Sequence, residues 1–205
     1  MEKNTFDVII MGAGLSGIGT ACHLQKNCKD KSYVILENRP SMGGTWDLFR
    51  YPGIRSDSDM FTLGYNFKPW KHKESIAGGG VILDYIKETA AENKIDKNIR
   101  FNSKIIRADW NTETSTWTVT CHDNVTKKEI KYHAKYVISC LGYYNYDHAH
   151  QPKFKEEKKF KGEILHPQFW PENLDYSNKE VVIIGSGATA VTLLPAMTDK
   201  AKHVT

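Results

Sequence analysis

The sequence predicts an α/β protein, and three observations carry this prediction. Short apolar runs rich in β-branched residues precede two glycine motifs, at residues 12–17 and 185–190. A helical pattern follows each motif, which gives two strand–turn–helix units. Between them, residues 99–110, 116–122 and 129–140 form three strand-like runs separated by turn residues. We therefore expect a parallel sheet plus a β-meander, followed by the start of a second unit of the first kind.

The first unit has the order strand, helix, strand. Residues 6–11 predict a buried strand, residues 15–25 a helix with one apolar face, and residues 33–36 a second strand that ends at Glu37. Parallel strands need such a crossover, so the three elements form one βαβ unit. The whole is typical of a Rossmann-like domain.

The middle of the chain alternates irregular and regular segments. Residues 40–70 are rich in Gly, Pro, Ser and Asp and predict no regular structure, and a stretch of that length is usually functional. Residues 151–178 predict a polar connector, and residues 180–184 the strand of the second unit. An amphipathic helix is expected after the three glycines at 78–80. Its predicted apolar stripe comprises Val81, Ile82, Tyr85, Ile86 and Thr89.

Composition and charge exclude several classes of protein. Hydrophobic residues make up 40% and charged residues 25% of 205 residues, which is typical of a chain that forms a core. The longest apolar runs fall far short of the ~20 residues that span a bilayer. The net charge is +4, and glutamates interrupt the lysines at 153–161, so we expect a solvated loop and no nucleic-acid partner. Four cysteines without a C-x-x-C pair indicate reduced thiols and a cytoplasmic location.

The first glycine motif has the spacing of a dinucleotide-binding turn. Gly12 permits the tight turn, Gly14 lets the backbone approach a pyrophosphate, and Gly17 allows close packing of helix and strand. The helix N-terminus offers N–H groups and a positive dipole end to the phosphates. Glu37 follows Gly17 by about 20 residues, where a carboxylate accepts hydrogen bonds from a ribose diol.

The second motif repeats this pattern directly after a strand. Its residues are Gly185, Ser186, Gly187, Ala188, Thr189 and Ala190. A single Rossmann domain needs one such motif, so two of them imply two dinucleotides, and FAD with a nicotinamide nucleotide is the natural pair for hydride transfer. A glycine-rich turn in a non-binding α/β unit is the alternative interpretation.

Two further stretches carry a resemblance to a known family. Residues 43–57, Gly-Gly-Thr-Trp followed by Tyr-Pro-Gly and Asp57, are similar to the motif [AG]-G-x-W-x4-[FY]-P-[GM]-x3-D of Baeyer–Villiger monooxygenases. Phe160, Gly162, His166 and Trp170 resemble the F-x-G-x3-H-x3-W fingerprint of the same family. Within these class B flavin-containing monooxygenases, residues 51–70, 142–147 and 185–192 are most similar to the ethionamide-activating subgroup.

The resemblance implies an activity and its cofactors. In this family NADPH reduces FAD, O2 adds to flavin C4a, and the peroxyflavin inserts one oxygen atom into a ketone or transfers it to a soft sulfur or nitrogen centre. The expected partners are therefore O2 and a small ketone or a thioether- or thioamide-like substrate. The family's catalytic arginine corresponds to a region beyond Thr205, so the resemblance implies no catalytic residue within this chain.

The resemblance also assigns roles to individual residues. The residues it places around FAD are Gly12, Gly14, Ser16, Gly17, Glu37, Gly44, Thr45, Trp46, Asp57 and Ile105. Those it places around NADP are Arg55, Ser56, Asp57 and the six residues of the second glycine motif. It gives His166 a role in ordering the connector rather than in proton transfer. His148 and His150 lack further ligands at suitable spacing, so we predict loop residues and no metal site.

The expected domain organisation follows from these assignments. Residues 1–145 are predicted to form the N-terminal part of an FAD-binding domain, residues 146–178 the interdomain linker, and residues 179–205 the start of an NADP-binding domain. A length of about 1.4 typical domains fits an N-terminal fragment that is incomplete as an enzyme. Two alternatives stay open: an N- or S-oxygenating flavin monooxygenase, and an inert FAD-binding fragment. A flavin disulfide reductase is disfavoured, because residues 38–120 contain no cysteine.

Overall fold

The computed structural model describes residues 4–205, so the first three residues of the predicted FAD-binding domain lie outside it. The described strands are β1 (Thr5–Met11), β2 (Tyr33–Leu36), β3 (Ile99–Arg100), β4 (Ser103–Asn111), β5 (Thr116–Asp123), β6 (Glu129–Ser139), β7 (Glu180–Val181) and β8 (His203–Val204). The helices are α1 (Leu15–Asn27), α2 (Thr45–Leu48), α3 (Met60–Leu63), α4 (Gly79–Glu92) and α5 (Ala188–Met197). Short 3₁₀ turns lie at Asp96–Asn98, Glu157–Lys159 and Pro167–Phe169.

One sheet of six strands carries the first unit, in the order β3-β2-β1-β6-β5-β4. Strands β3, β2, β1 and β6 run parallel, while β5 and β4 continue the sheet as an antiparallel meander. β6 belongs to both parts, because its residues 133–139 pair with β1 and its residues 129–134 pair with β5. The predicted fold class, a parallel sheet plus a β-meander, is confirmed.

Apolar side chains of the central strands form the core of this sheet. Ile9, Val34 and Leu36 are at most 1% exposed, as expected for parallel strands that are covered on both faces. They pack in one cluster with Val119 and Tyr132 of the meander. The parallel strands and the meander therefore share one core.

The predicted strand at 99–110 is divided in the structure. β3 pairs with β2 in parallel, whereas β4 pairs with β5 in antiparallel orientation. Asn102 lies between them with φ at 56°, a left-handed conformation that ends a strand and that asparagine tolerates better than most residues. The backbone thus changes partners at a residue that strand-like composition did not reveal.

The predicted stripe of α4 is correct except at its first member. Ile82, Tyr85, Ile86 and Thr89 are buried, but Val81 is 42% exposed. Successive residues of a helix are separated by about 100°, which places Val81 outside the buried arc that begins at Ile82. The irregular stretch at 40–70 also differs slightly, since α2 and α3 each add one short turn of helix.

The chain divides into two compact units. The first contains the described residues up to Asp47 together with Leu83–Gly142, and the second contains Leu48–Ile82 and Tyr143–Thr205. Residues 48–82 belong to the second unit, whereas the sequence predicts that they are part of one continuous FAD-binding domain. The domain boundaries themselves stay a prediction. Its own core is formed by the buried residues Phe49, Tyr51, Leu193 and Met197.

Within the second unit, β7, α5 and β8 form a small parallel βαβ element. Glu180 and Val181 pair with His203 and Val204, and the N–H of Ile183 donates to the carbonyl of Thr205 at 2.7 Å. The predicted strand at 180–184 is therefore regular only where β8 lies beside it. No helix among the described residues is long and apolar enough to cross a membrane.

Candidate dinucleotide-binding site

The first glycine motif forms the turn between β1 and α1, and the packing around it requires glycine at two positions. Gly12 has φ at 104°, and a Cβ there would lie 2.5 Å from the carbonyl oxygen of Cys140. A Cβ on Gly17 would lie 1.9 Å from the carbonyl oxygen of Gly12. Without those side chains the turn can approach the backbone that follows β6, and α1 can approach the turn.

Gly14 is different, because a Cβ there would clash with no other atom. Its virtual Cβ would meet only the backbone of Gly44, at 3.6 Å, an ordinary contact. Gly14 is also the N-cap of α1, and no side chain caps that end. The helix dipole makes such an end attractive to an anion, and the missing side chain leaves room for one. The turn therefore fits the phosphates of a dinucleotide.

Glu37 lies at the end of β2 and is bonded directly to this turn. Its carboxylate is buried, with Oε2 accepting from the N–H of Ala13 at 2.7 Å and Oε1 from the N–H of Arg39 at 2.9 Å. Burial raises the pKa of Glu37, although the two backbone N–H groups act in the opposite direction. A buried carboxylate fixed at this edge is suited to accept further hydrogen bonds from hydroxyl groups.

The remaining predicted FAD residues of the first unit lie in three places. Ser16 is exposed on the first turn of α1, and Gly44 is buried in the segment before α2. Thr45 and Trp46 are half-buried at the start of α2. Ile105 packs partly into the core cluster of the sheet.

Arg39 and Asp47 were missed by the sequence analysis. Asp47 is 4% exposed, and its Oδ2 lies 2.6 Å from Nη2 of Arg39 and 2.5 Å from the hydroxyl of Ser41. A buried ion pair is uncommon without a structural or functional reason. The sequence does carry one signal for Asp47, because this acidic residue lies inside a glycine- and aromatic-rich motif, between Trp46 and an apolar residue.

In the second unit, Arg55, Ser56 and Asp57 form an extended segment that is bonded to the residues just before α4. The N–H of Ser56 donates to the carbonyl of Ala77 at 2.9 Å, and the N–H of Ala77 donates to the Ser56 hydroxyl at 3.1 Å. Ser56 is 2% exposed, whereas Arg55 and Asp57 are exposed. The buried serine thus holds its two charged neighbours outward.

An aromatic cluster near Asp57 was also missed. The rings of Phe49 and Tyr144 meet edge to face at 4.9 Å, and Tyr143 packs on Tyr144 at 4.5 Å. Partial burial, the neighbouring Tyr143 hydroxyl and the negative charge of Asp57 raise the pKa of Tyr144 to about 12. The tyrosine run was visible in the sequence, but nothing in it indicated which rings would meet.

The second glycine motif forms an exposed turn that leads into α5. Gly187 is the N-cap of α5 without a side-chain cap, and no atom lies within 4 Å of its virtual Cβ. Ser186 and Ala188 are exposed, and Thr189 and Ala190 are half-buried at the start of the helix. This turn has the same open helix end as the first, and it fits a second phosphate group.

The fingerprint residues serve different purposes in the second unit. Trp170 packs against its core and meets the ring of Tyr176 at 6.3 Å. Nδ1 of His166 accepts from the N–H of Gln168 at 3.2 Å, which caps the 3₁₀ turn at Pro167–Phe169. Phe160 is exposed, and a Cβ on Gly162 would lie 2.6 Å from its ring.

Gln168 was not predicted, but it anchors the fingerprint segment. It is 6% exposed, and its Nε2 donates to the carbonyl of Asn145 at 2.6 Å. His148 is exposed in the neighbouring loop, as is His150. No group of metal-ligating side chains occurs among residues 4–205.

Comparisons with known proteins place these features in context. Residues 9–205 match the pyridine nucleotide-disulphide oxidoreductase family. The chain is 56% identical over 200 residues to the FAD-containing monooxygenase EthA of Mycobacterium tuberculosis, covering 97% of this chain and 40% of that protein. It is 52% identical over 206 residues to the probable FAD-binding monooxygenase AlmA of an Acinetobacter species, covering 100% of this chain and 41% of that protein. The chain thus spans about two fifths of the length of these relatives.

Solved structures show the same fold. A cyclohexanone monooxygenase mutant from Rhodococcus sp. Phi1 bound to NADP+ superposes with a TM-score of 0.84 at 26% identity, over 98% of this chain and 38% of that chain. OTEMO in complex with FAD and NADP gives a TM-score of 0.81 at 29% identity, over 99% of this chain and 38% of that chain. An oxidised steroid monooxygenase bound to NADP gives 0.81 at 27% identity, over 98% and 38%.

Proposed function

This chain belongs to the pyridine nucleotide-disulphide oxidoreductase family, and from its similarity to named monooxygenases we propose that it is part of an FAD- and NADPH-dependent monooxygenase. The proposed reaction inserts one oxygen atom from O2 into a ketone, or transfers it to a soft sulfur or nitrogen centre. The names of the relatives and the NADP-bound structures support this proposal. When bound, the flavin supplies the redox chemistry with O2, and the nicotinamide supplies the hydride.

One observation carries the proposal for FAD: Gly14 leaves an uncapped helix end without a side chain, and Glu37 is bonded to the adjacent Ala13. In this proposal the N-terminus of α1 binds the diphosphate, and Glu37 accepts hydrogen bonds from the ribose hydroxyls of the adenosine half. The family resemblance adds Ser16, Thr45, Trp46, Asp57 and Ile105 to the FAD residues.

A corresponding role is proposed for the second glycine motif. The open helix end at Gly187 binds the diphosphate of NADPH, with the other five residues of the motif around it. Arg55, Ser56 and Asp57 serve the nicotinamide side. Their outward charges, held by the buried Ser56, support this assignment.

Thiol chemistry is the alternative that the family name raises, and the cysteines speak against it. Burial raises the pKa of Cys22 to about 11 and that of Cys121 to about 12, and a reactive thiol needs a lowered pKa. All four cysteines are free. An N- or S-oxygenating enzyme and an inert FAD-binding segment remain the other candidates, and Trp170 at the end of the fingerprint favours the ketone-oxidising family.

The proposal keeps the domain assignment made from the sequence. Residues 1–145 belong to an FAD-binding domain, residues 146–178 to a linker, and residues 179–205 to an NADP-binding domain. A cytoplasmic location is proposed with it, because both cofactors and reduced thiols are typical of that compartment.

The decisive experiment is a titration of the chain with FAD, followed by flavin fluorescence. Loss of a hydrogen bond to a charged group costs about 1.5–3 kcal/mol, so Glu37→Ala should raise the Kd for FAD by roughly 10- to 150-fold. Glu113→Ala, on an exposed turn, is the matched control and should leave it unchanged. Equal affinity of all three proteins would refute the assignment of Glu37. Anaerobic addition of NADPH should bleach the flavin band, and no bleaching would favour the inert segment.

A further inference from the structure

A closed circuit of hydrogen bonds joins three segments of the first unit. The N–H of Ala13 donates to Glu37 at 2.7 Å, and the N–H of Arg39 donates to the other carboxylate oxygen at 2.9 Å. The guanidinium of Arg39 binds Asp47, with Nη2 at 2.6 Å and Nε at 3.3 Å from the same Oδ2. The N–H of Gly43 donates back to the carbonyl of Ala13 at 3.0 Å.

Contacts of the Asp47 backbone and Cβ hold this residue in the circuit. Its N–H donates to the carbonyl of Gly44 at 3.1 Å, and its Cβ lies 3.0 Å from the virtual Cβ of Gly43. Nη2 of Arg39 also donates to the Asp47 carbonyl at 3.3 Å. The residues between Gly43 and Asp47 are therefore held from both ends, by Ala13 at one end and Arg39 at the other.

The ion pair stands out because its carboxylate is buried and because Arg39 also donates a hydrogen bond to Glu37. The Asp47 side chain is 6% exposed and that of Arg39 is 24% exposed. Arg39 contacts Glu37 through its backbone N–H and Asp47 through its guanidinium, so one residue links the two acidic groups. Desolvation makes a buried ion pair a poor source of stability, whereas its directional bonds specify geometry.

We propose that Arg39 and Asp47 form a positioning pair, which holds the Gly43–Trp46 segment in a fixed place relative to Glu37. The inference rests on the proposed FAD site. In it, Glu37 and the glycine turn contact the adenosine diphosphate half of FAD, and Thr45 and Trp46 contact the flavin half. The pair itself contacts neither half of FAD. It holds the residues that contact the two halves in place at the same time. Its contribution is preorganisation of the cofactor site.

This proposal predicts a difference between two ligands. ADP contains only the half of FAD that the turn and Glu37 contact, so the Gly43–Trp46 segment should contribute little to its binding. FAD needs both. A change that merely loosened the unit would weaken both ligands equally, whereas loss of positioning weakens FAD selectively.

The test measures the Kd values of FAD and ADP for the chain and for two variants. Asp47→Asn removes the charge that Arg39 binds, and Arg39→Lys keeps the charge but loses the two-nitrogen contact. We expect Asp47→Asn to raise the Kd of FAD at least tenfold and the Kd of ADP less than threefold. Arg39→Lys should likewise raise the Kd of FAD more than the Kd of ADP. Asp109→Asn is the matched control, since the Arg107–Asp109 pair of 2.7 Å is exposed, and neither Kd should change.

Each other outcome overturns the inference. Equal weakening of FAD and ADP would mean that the pair only stabilises the unit, and unchanged FAD binding would mean that it positions nothing. If Asp47→Asn fails to fold, as judged by far-UV circular dichroism, Arg39→Lys decides with the same two ligands. Failure of the unsubstituted chain to bind FAD or ADP would overturn the proposed function as well. FAD binding that Glu37→Ala weakens and Asp47→Asn leaves intact would overturn the inference alone.

Discussion

Alanine at Gly14 and at Gly17 should separate ligand binding from folding within a single turn. A methyl group on Gly17 would lie 1.9 Å from a backbone oxygen of the same turn, so α1 has to move away from β1. A methyl group on Gly14 would meet its nearest neighbour at 3.6 Å and would occupy only the space assigned to a phosphate. The two variants add the same group three residues apart.

The expected stabilities follow from competing effects. For Gly17→Ala, overpacking of about 3 kcal/mol outweighs a gain of about 1 kcal/mol in helix propensity. The net loss of about 2 kcal/mol lowers the Tm by roughly 4–8 °C for a chain of this size. For Gly14→Ala, alanine is a poorer N-cap than glycine, but it restricts the unfolded chain, and both effects are about 0.5–1 kcal/mol. They cancel, so the Tm should stay nearly constant.

Gly14→Ala should weaken FAD binding strongly, although it should leave the stability of the chain unchanged. The methyl group of Gly14→Ala keeps a phosphate away from the N–H groups of α1, and one hydrogen bond to a charged group is worth about 1.5–3 kcal/mol. We expect the Kd for FAD to rise about 10- to 150-fold with an unchanged Tm. Thermal unfolding by circular dichroism and FAD titration measure the two quantities on the same samples. A stable Gly14→Ala chain with full FAD affinity would refute the assignment of this turn.

Three further predictions concern pH, a buried hydrogen bond and a thiol. Because Glu37 has a raised pKa in the folded state, its contribution to the free energy of unfolding is largest below about pH 4.5 and is lost as the pH rises through its native value; urea titrations should show this slope, and Glu37→Gln should abolish it. Ser56→Ala leaves the N–H of Ala77 without its side-chain acceptor and should cost about 1–3 kcal/mol in urea unfolding, whereas Ser58→Ala, at an exposed position, should cost nothing measurable. Burial raises the pKa of Cys121 to about 12, so iodoacetamide at pH 8 should alkylate this thiol only in urea, and alkylation of the folded chain would show that the core opens readily.

The elements of the first unit were predictable because their signals are local. Apolar runs, a glycine turn and an acidic residue after β2 define a βαβ unit without any tertiary information, and β2 begins and ends where the sequence indicates. The position of Asn102 was not predictable in this way. Its left-handed backbone depends on the chain leaving β2 for β5, which is a tertiary event.

Long-range pairing also explains what was missed at the candidate site. Glu37 could be chosen from its spacing to Gly17, but its bond to Ala13 depends on the register of β1 and β2. Asp47 and Arg39 are eight residues apart and follow no helical or strand period, so only the folded loop brings them together. Residues whose role is to hold other residues leave little trace in a single sequence.

The pairing of β6 with both β1 and β5 has a consequence for how the chain folds during synthesis. Thr5 of β1 pairs with His133 of β6, 128 positions later, while the other neighbour of β1, β2, follows within about 30 residues. At about 5–20 residues per second, a ribosome needs roughly 6–26 s to make the intervening chain. During that interval one edge of an apolar strand has no partner, which is the condition under which nascent chains associate wrongly. The sheet of the first unit can therefore be completed only after residue 139 has been synthesised.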